Sequence, residues 1–520
     1  MRKKLPIGIQ TFSEIRKNNH YYVDKTALAC QLVEEGKYYF LSRPRRFGKS
    51  LFLDTLKELF EGNKPLFKGL AAEQQWDWSK KHPVIRISFG SGVLRNRQEL
   101  DRRIQQQLLD QRELLQLGES QVKAEDIASL FEHLIKDAAR AHQSKAVVLI
   151  DEYDKPILDN LHEPDQARAM RDGLRNFYSV LKDSDAHLRF VFLTGVSKFS
   201  KVSLFSGLNN LRDITLVAEY SSLCGYTDAD VDRVFAPELQ GLDRDEVRRW
   251  YNGYNWLGES VYNPFDLLLL FQEREFRPYW FETGTPTFLI DLLRERQTFT
   301  PELSELVTVE TLISRFDVDD MPTEALMFQT GYLTIAERFH MGALTEYTLK
   351  YPNKEVQASL NSLLLEMLMG NPSLPHQFTG KLYRLLAKGD VAGLQPLLKS
   401  LFASIPYDWQ RSNPIANYEG YYASVFYSFF AALGLEIRLE DMTNKGRIDM
   451  TVLFAERVFL FEFKVVDEVT TGAALQQLLD KGYAEKYRHL NQPIHLVGVE
   501  FSKAERQLVG FQLEDKPAFR

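Results

Sequence analysis

The sequence predicts an α/β chain of more than one domain, and three observations carry that reading. Over residues 1–220 short β-rich runs alternate with longer helical patterns, the signature of a sheet covered by helices on both faces. One strand-to-helix junction in that region ends in Gly48-Lys49-Ser50, and a later apolar run ends in Asp151-Glu152. After a mainly helical stretch over residues 221–400, residues 401–520 return to a mixed pattern in which Asp449, Glu462 and Lys464 interrupt apolar strands. At 520 residues the chain exceeds what one hydrophobic core organises, so a division into parts is expected on length alone.

Composition bounds the function. Apolar residues make up 44% and charged residues 26%, ordinary globular usage, and the formal net charge of -7 argues against a protein that coats nucleic acid by bulk electrostatics. Any such contact needs a local basic groove. Cys30 and Cys224 are the only cysteines, too few and too far apart for a disulfide framework or a thiolate zinc site, which fits a reducing cytoplasm. The basic start Met-Arg-Lys-Lys is not followed by an apolar signal segment, because Pro6, Gly8 and Gln10 break it, and no apolar run reaches membrane-spanning length. A cytoplasmic protein with no membrane partner is expected.

Strands are expected near Tyr38 to Ser42, Val84 to Phe89, Val147 to Asp151, Arg189 to Thr194 and Asp213 to Val217, with helices between them. The first strand leads into Arg43-Pro-Arg-Arg-Phe-Gly-Lys-Ser50 and a helix with apolar Leu51, Leu53, Leu56 and Leu59. This is the layout of a phosphate-binding loop, whose main-chain amides at a helix start hold phosphate oxygens. Arg46, Phe47, Gly48, Lys49 and Ser50 would form the cradle, with Lys49 reaching the β- and γ-phosphates and Ser50 a magnesium ion. The departure is Arg43, which stands where G-x-x-x-x-G-K-[ST] has its first glycine, so binding of ATP is expected ahead of fast turnover. The apolar run Ala146 to Ile150 reads as a strand buried on both faces. It delivers Asp151 to position magnesium and Glu152 to polarise the attacking water, at the edge where α/β sheets bind ligands. Thr194 and Ser197, at the end of the next strand, are candidates to sense the γ-phosphate. Arg45 and Arg46 could stabilise phosphate charge or contact a second subunit.

Ser42-Arg-Pro-Arg-Arg-Phe-Gly-Lys-Ser50 with Leu149-Ile-Asp-Glu-Tyr-Asp154 resembles the bacterial AAA-ATPase-like proteins whose C-termini are similar to PD-(D/E)XK nucleases. Thr11-Phe12, Tyr22-Val-Asp-Lys25, Trp250-Tyr-Asn-Gly-Tyr254, Tyr262-Asn-Pro-Phe265 and Phe328-Gln-Thr-Gly-Tyr-Leu333 extend the resemblance over nearly the whole chain. It implies a P-loop fold of the class with an additional strand between the P-loop strand and the acidic strand.

The C-terminal part offers Gly446-Arg-Ile-Asp449 at one strand start and Glu462-Phe463-Lys464 in the next. Alternation puts Glu462 and Lys464 on one face and Phe461, Phe463 and Val465 on the other. A two-residue turn at Ala455-Glu456 sets Asp449 opposite Glu462, and one at Glu456-Arg457 sets it opposite Lys464; either register gathers the trio. Two hard carboxylates and a cation suit a magnesium or manganese ion that activates water at a phosphodiester. Glu419, one helical turn before Tyr422 on a stripe with Phe426 and Phe429, is a further metal candidate, and Gln477 a supporting residue.

The expected architecture is therefore an N-terminal P-loop NTPase sheet (residues 1–220), a helical middle region with a winged-helix-like hairpin (221–400) and a restriction-endonuclease-like α/β domain (401–520). The expected function is an ATP-binding, nucleotide-regulated, Mg2+- or Mn2+-dependent nuclease acting on nucleic acid, DNA ahead of RNA, in genome maintenance or defence against mobile DNA, with assembly of several copies allowed. The alternative is a nucleotide-dependent switch that binds nucleic acid or a protein and cleaves nothing.

Overall fold

The computed structural model describes residues 2–118, 126–198, 204–205, 208, 210–281, 287–296, 298, 300–313, 317–370, 374–405, 419–467, 469–505 and 507–518. The chain divides into two compact units, Met1–Gly284 with Leu306–Asn353, and Thr285–Glu305 with Lys354–Arg520. The residues of the expected middle region are thus shared between both.

The first unit is built on β1 (Tyr38–Ser42), β2 (Val84–Ser88), β3 (Ala146–Asp151), β4 (Leu188–Gly195) and β5 (Arg212–Asp213), in the order β2-β3-β4-β1-β5. All four pairings are parallel. β4 lies between the P-loop strand and the acidic strand, pairing Leu41 with Thr194 on one side and Ile150 with Leu193 on the other. Every residue of β1 and β3 is buried, as strands covered on both faces require. The expected strand Asp213 to Val217 is cut to two residues because the Asp213 carboxylate accepts the Thr215 N–H at 2.9 Å and turns the chain. A three-stranded antiparallel sheet, β6 (Leu306–Val309), β7 (Thr334–Met341) and β8 (Leu344–Lys350) in the order β6-β8-β7, contains the expected hairpin.

The second unit carries β9 (Glu436–Thr443), β10 (Gly446–Phe454), β11 (Arg457–Val466), β12 (Ile494–Ser502) and β13 (Gln507–Lys516), in the order β13-β12-β11-β10-β9. Only β11 and β12 run parallel among them. The strict alternation of β11 sorts its two faces. Phe461 and Phe463 lie under Phe426 of the helix Glu419–Ala431, with ring centroids 5.3 and 4.7 Å away. Val458 and Leu460 pack on the opposite face with Leu478, Tyr483 and Tyr487. The sequence reading did not anticipate β9 and β13. After β11 the chain forms the helix Ala473–Asp480 and then a 3-10 stretch Tyr483–Leu490.

Candidate functional sites

The loop after β1 leads into the helix Lys49–Phe60 and borders a cavity of about 480 Å³ lined in part by Arg45, Arg46, Lys49, Ser50 and Glu152. Lys49 is 6% exposed, and its ammonium donates to the carbonyls of Arg43 and Pro44, each at 2.9 Å. Burial lowers its pKa, and the charges of Glu152 and Asp151 oppose that shift. The lysine is therefore held at the helix N-terminus with acidic groups across from it, the electrostatic layout of a site for a phosphate chain and a divalent cation. Asp151 is buried at the end of β3, and its Oδ1 has no hydrogen-bond partner among the described residues. Such an orphaned carboxylate oxygen fits a cation bound with the nucleotide. Glu152 follows it in the left-handed region (φ 52°), and burial raises its pKa while Lys49 pulls it down. A carboxylate so placed is suited to accept a proton.

Arg43 does not enter this cavity. Its side chain is fully buried and bridges four carbonyls, with Nη1 donating to Ser42 (2.8 Å) and Thr215 (3.0 Å), and Nη2 to Tyr220 (3.2 Å) and Ser221 (3.4 Å). The guanidinium also lies 4.1 Å from the Trp256 ring centroid. Burial lowers its pKa to about 10, so it stays charged at neutral pH. The departure from the glycine consensus is thus an anchor behind the loop.

The neighbouring loop residues are anchored too. Phe47 packs edge-on against Tyr254 and Trp256, and Arg46 lies over the Phe265 ring at 4.7 Å. Tyr262-Asn-Pro-Phe265 presents that ring because Asn263 caps the helix Pro264–Glu273 and Pro264 begins it.

Thr194 and Ser197 correct an expectation. The Thr194 hydroxyl is fully buried and donates to the Leu41 carbonyl at 2.9 Å. The Ser197 hydroxyl donates to Asp154 at 2.5 Å, whose carboxylate also accepts the Val196 and Ser197 N–H groups. Both hydroxyls fix the exit of β4, and neither lines the cavity.

In the second unit the β10-β11 hairpin decides between the two registers. Phe454 pairs with Arg457, leaving Ala455 (φ 52°) and Glu456 (φ 56°) as a two-residue turn with both residues left-handed, and Met450 pairs with Phe461. Asp449 therefore comes level with Glu462, and its Oδ2 accepts the Phe463 N–H at 2.7 Å. Glu462 is fully buried. Its Oε1 lies 3.6 Å from Lys464 Nζ and accepts a hydrogen bond from Gln477 Nε2, while Oε2 has no partner among the described residues. Burial, reinforced by the charge of Asp449 and offset by Lys464, pushes its pKa up to about 7. A carboxylate pair held together in this strained state, with one oxygen unsatisfied, fits a divalent cation. Among the described residues no three His, Cys, Asp or Glu side chains form a metal-binding group.

Phe426, from the stripe that suggested Glu419, packs on Phe461 and Phe463, the face of β11 away from Glu462. The Glu419 side chain lies outside the described residues.

Two comparisons bear on these sites. Residues 6–205 match the family model described as a predicted AAA-ATPase, and residues 417–510 match that of the PD-(D/E)XK nuclease superfamily. A curated relative from Azotobacter chroococcum mcd 1, named "Uncharacterized protein in vnfD 5'region", is 63% identical over 514 residues, covering 99% of each chain. The chain belongs to that protein's family, the AAA-ATPase-like proteins with a C-terminal PD-(D/E)XK nuclease-like domain. Domains of these two kinds generally use a nucleotide and a divalent metal. No helix among the described residues is long and apolar enough to cross a membrane.

Within this AAA-ATPase-like nuclease-like chain, the sequence reading missed Glu500. It is 2% exposed on β12 and accepts hydrogen bonds from Thr470 Oγ1, Thr471 N and Thr471 Oγ1 at 2.5, 2.6 and 2.8 Å. Burial alone would raise its pKa, but these bonds hold it down to about 2. It thereby fixes the start of the helix that carries Gln477. Gly498, level with Glu462 on β12, lets that helix lie close, since a Cβ there would come within 2.3 Å of the Leu475 nitrogen. A glutamate in a mainly apolar strand was the available signal.

Proposed function

We propose that the protein is a metal-dependent nuclease whose action is regulated by nucleotide binding at Lys49, Ser50 and Asp151. The observation that supports it best is the joining of Asp449, Glu462 and Lys464 on one sheet face with Gln477 of the helix that covers it, Glu462 being buried with its pKa raised. A Mg2+ or Mn2+ ion held by Asp449 and Glu462 would supply a charge that acidifies a water and neutralises a phosphate. Lys464 offers its ammonium to the phosphate being cleaved, and Gln477 keeps Glu462 oriented. The substrate proposed is nucleic acid, DNA ahead of RNA, in the cytoplasm, with genome maintenance or defence against mobile DNA as the setting. The alternative, a switch that cleaves nothing, draws on Arg43 standing where the consensus has glycine; the side chain there turns away from the cavity and anchors the loop from behind.

The test is cleavage of plasmid DNA and of RNA with Mg2+ or Mn2+. Wild type is expected to cut, and Lys464→Ala to cut at least about 100-fold more slowly. Equal activity in both, or none with any nucleotide and metal, would remove the proposal. Lys49→Ala is expected to weaken MgATP binding about tenfold or more in a calorimetric titration, because it takes away the cation at the helix N-terminus; unchanged affinity would place the nucleotide elsewhere.

A further inference from the structure

In the loop Arg43-Pro-Arg-Arg-Phe-Gly48 only Pro44 and Gly48 carry strong backbone preferences of their own. Groups far along the chain grip it. Trp280 donates its indole N–H to the Arg45 carbonyl at 3.2 Å. Gly331, left-handed at φ 92°, ends the helix Thr323–Thr330 and faces Pro44 so closely that a Cβ there would lie 2.7 Å from the proline Cγ. Two residues earlier Gln329, 5% exposed, uses both ends of its amide. Its Oε1 accepts the Lys198 N–H at 2.7 Å and its Nε2 donates to the Ile313 carbonyl at 2.9 Å.

Lys198 lies just beyond β4, and the last residues of that strand, Thr194 and Gly195, pair with Leu41 and Ser42 immediately before the loop. On its other side β4 borders β3, which delivers Asp151 and Glu152. One segment, Phe328-Gln-Thr-Gly-Tyr-Leu333, therefore reaches the phosphate loop directly and the acidic turn after β3 through the exit of β4, which itself lies behind the cavity. Gly331 touches the loop that would hold the inner phosphates. Gln329 holds the exit of β4, whose Thr194 carbonyl accepts the Tyr153 N–H and whose Val196 and Ser197 N–H groups donate to Asp154. It so fixes the turn that presents Glu152, toward which a terminal phosphate would extend.

We infer that Gln329, Gly331 and Trp280 are positioning residues for the nucleotide site, and that Gln329 makes the site distinguish a nucleoside triphosphate from a diphosphate. The inference rests on the nucleotide-binding reading above and adds how the terminal phosphate is read. A diphosphate needs the loop amides and Lys49, which Trp280 and Gly331 hold in place. A triphosphate also needs Glu152 at its proper distance, which the β4 exit sets and Gln329 holds through the Lys198 N–H.

The experiment measures MgATP and MgADP affinity of the full-length protein by calorimetry for wild type, Gln329→Met, Gln329→Asn and Trp280→Phe, well below each melting temperature. Methionine is near in volume and makes neither hydrogen bond, while asparagine keeps the amide but cannot span both partners. Both are expected to weaken MgATP about tenfold and MgADP by less than about threefold. Trp280→Phe is expected to weaken both nucleotides by the same factor, because it loosens the loop itself. A merely structural glutamine would leave the ATP to ADP ratio at the wild-type value, and that result in the folded variants overturns the inference. Should the methionine variant fail to fold, the asparagine ratio decides. Wild type that binds neither nucleotide removes the nucleotide reading, and this inference with it; wild-type binding with an unmoved ratio in the variants removes the inference alone.

Discussion

Arg43→Gly is expected to destabilise the protein by about 3–5 kcal/mol and to weaken nucleotide binding, although it restores the glycine of the phosphate-loop consensus. The side chain is fully buried and donates to the carbonyls of Ser42, Thr215, Tyr220 and Ser221. Glycine would leave these acceptors without their charged donor, open a void beneath Trp256, and free the backbone just before Pro44. Arg43→Lys would keep the charge but not the planar fork that spans several acceptors, and is expected to fall between wild type and glycine. Urea denaturation together with a MgATP titration measures both effects. A glycine variant as stable as wild type that binds MgATP more tightly would show that the arginine is a handicap to the loop.

That contrast marks how far the sequence could be read. The placement of Gly48-Lys49-Ser50 after β1 and of Asp151-Glu152 at the end of β3 was legible from the apolar runs that precede them, and β4 lies between their two strands as the family resemblance implied. Arg43 was legible only as a departure. What compensates for it is a set of main-chain carbonyls at residues 215–221, and the sequence pattern says nothing about where carbonyls point.

Thr194 misled for a related reason. A hydroxyl at a strand end can face a ligand or satisfy a neighbouring strand, and in a sheet buried on both faces the Leu41 carbonyl was the nearer acceptor. In the C-terminal unit, period-two alternation correctly paired Glu462 with Lys464, but two turn registers remained open. Left-handed Ala455 and Glu456, neither of them glycine or asparagine, carried no turn signal that chooses between them. β9 escaped notice because Glu436, Arg438 and Glu440 alternate with partly buried residues along an edge strand, and such a charged run resembles a solvated loop.

Glu462→Gln is expected to stabilise the metal-free protein at pH 8 by about 2–3 kcal/mol and to leave its stability at pH 4 nearly unchanged. The sign follows from a raised carboxyl pKa. Glu462 titrates near 7 in the folded protein, against about 4.5 when unperturbed, so its favourable contribution is complete below 4.5 and is lost as pH rises through 7. Above that, the native state must hold a buried charge with an unsatisfied Oε2 beside Asp449, a burden that glutamine does not carry. The neutral amide still presents an oxygen to Gln477, so the difference isolates the charge. Adding Mn2+ at pH 8 should reverse the order: wild type gains stability as the cation meets the carboxylate pair, whereas the glutamine variant, with one carboxylate left, gains little. Thermal melts of both proteins across pH 4 to 8, with and without Mn2+, measure all of this. Parallel pH profiles would mean that Glu462 is ordinarily solvated. A metal response equal in the two proteins would mean that the cation binds elsewhere. The combination expected, a cost without metal that the metal removes, is what separates a site built for a cation from a buried acid that merely packs.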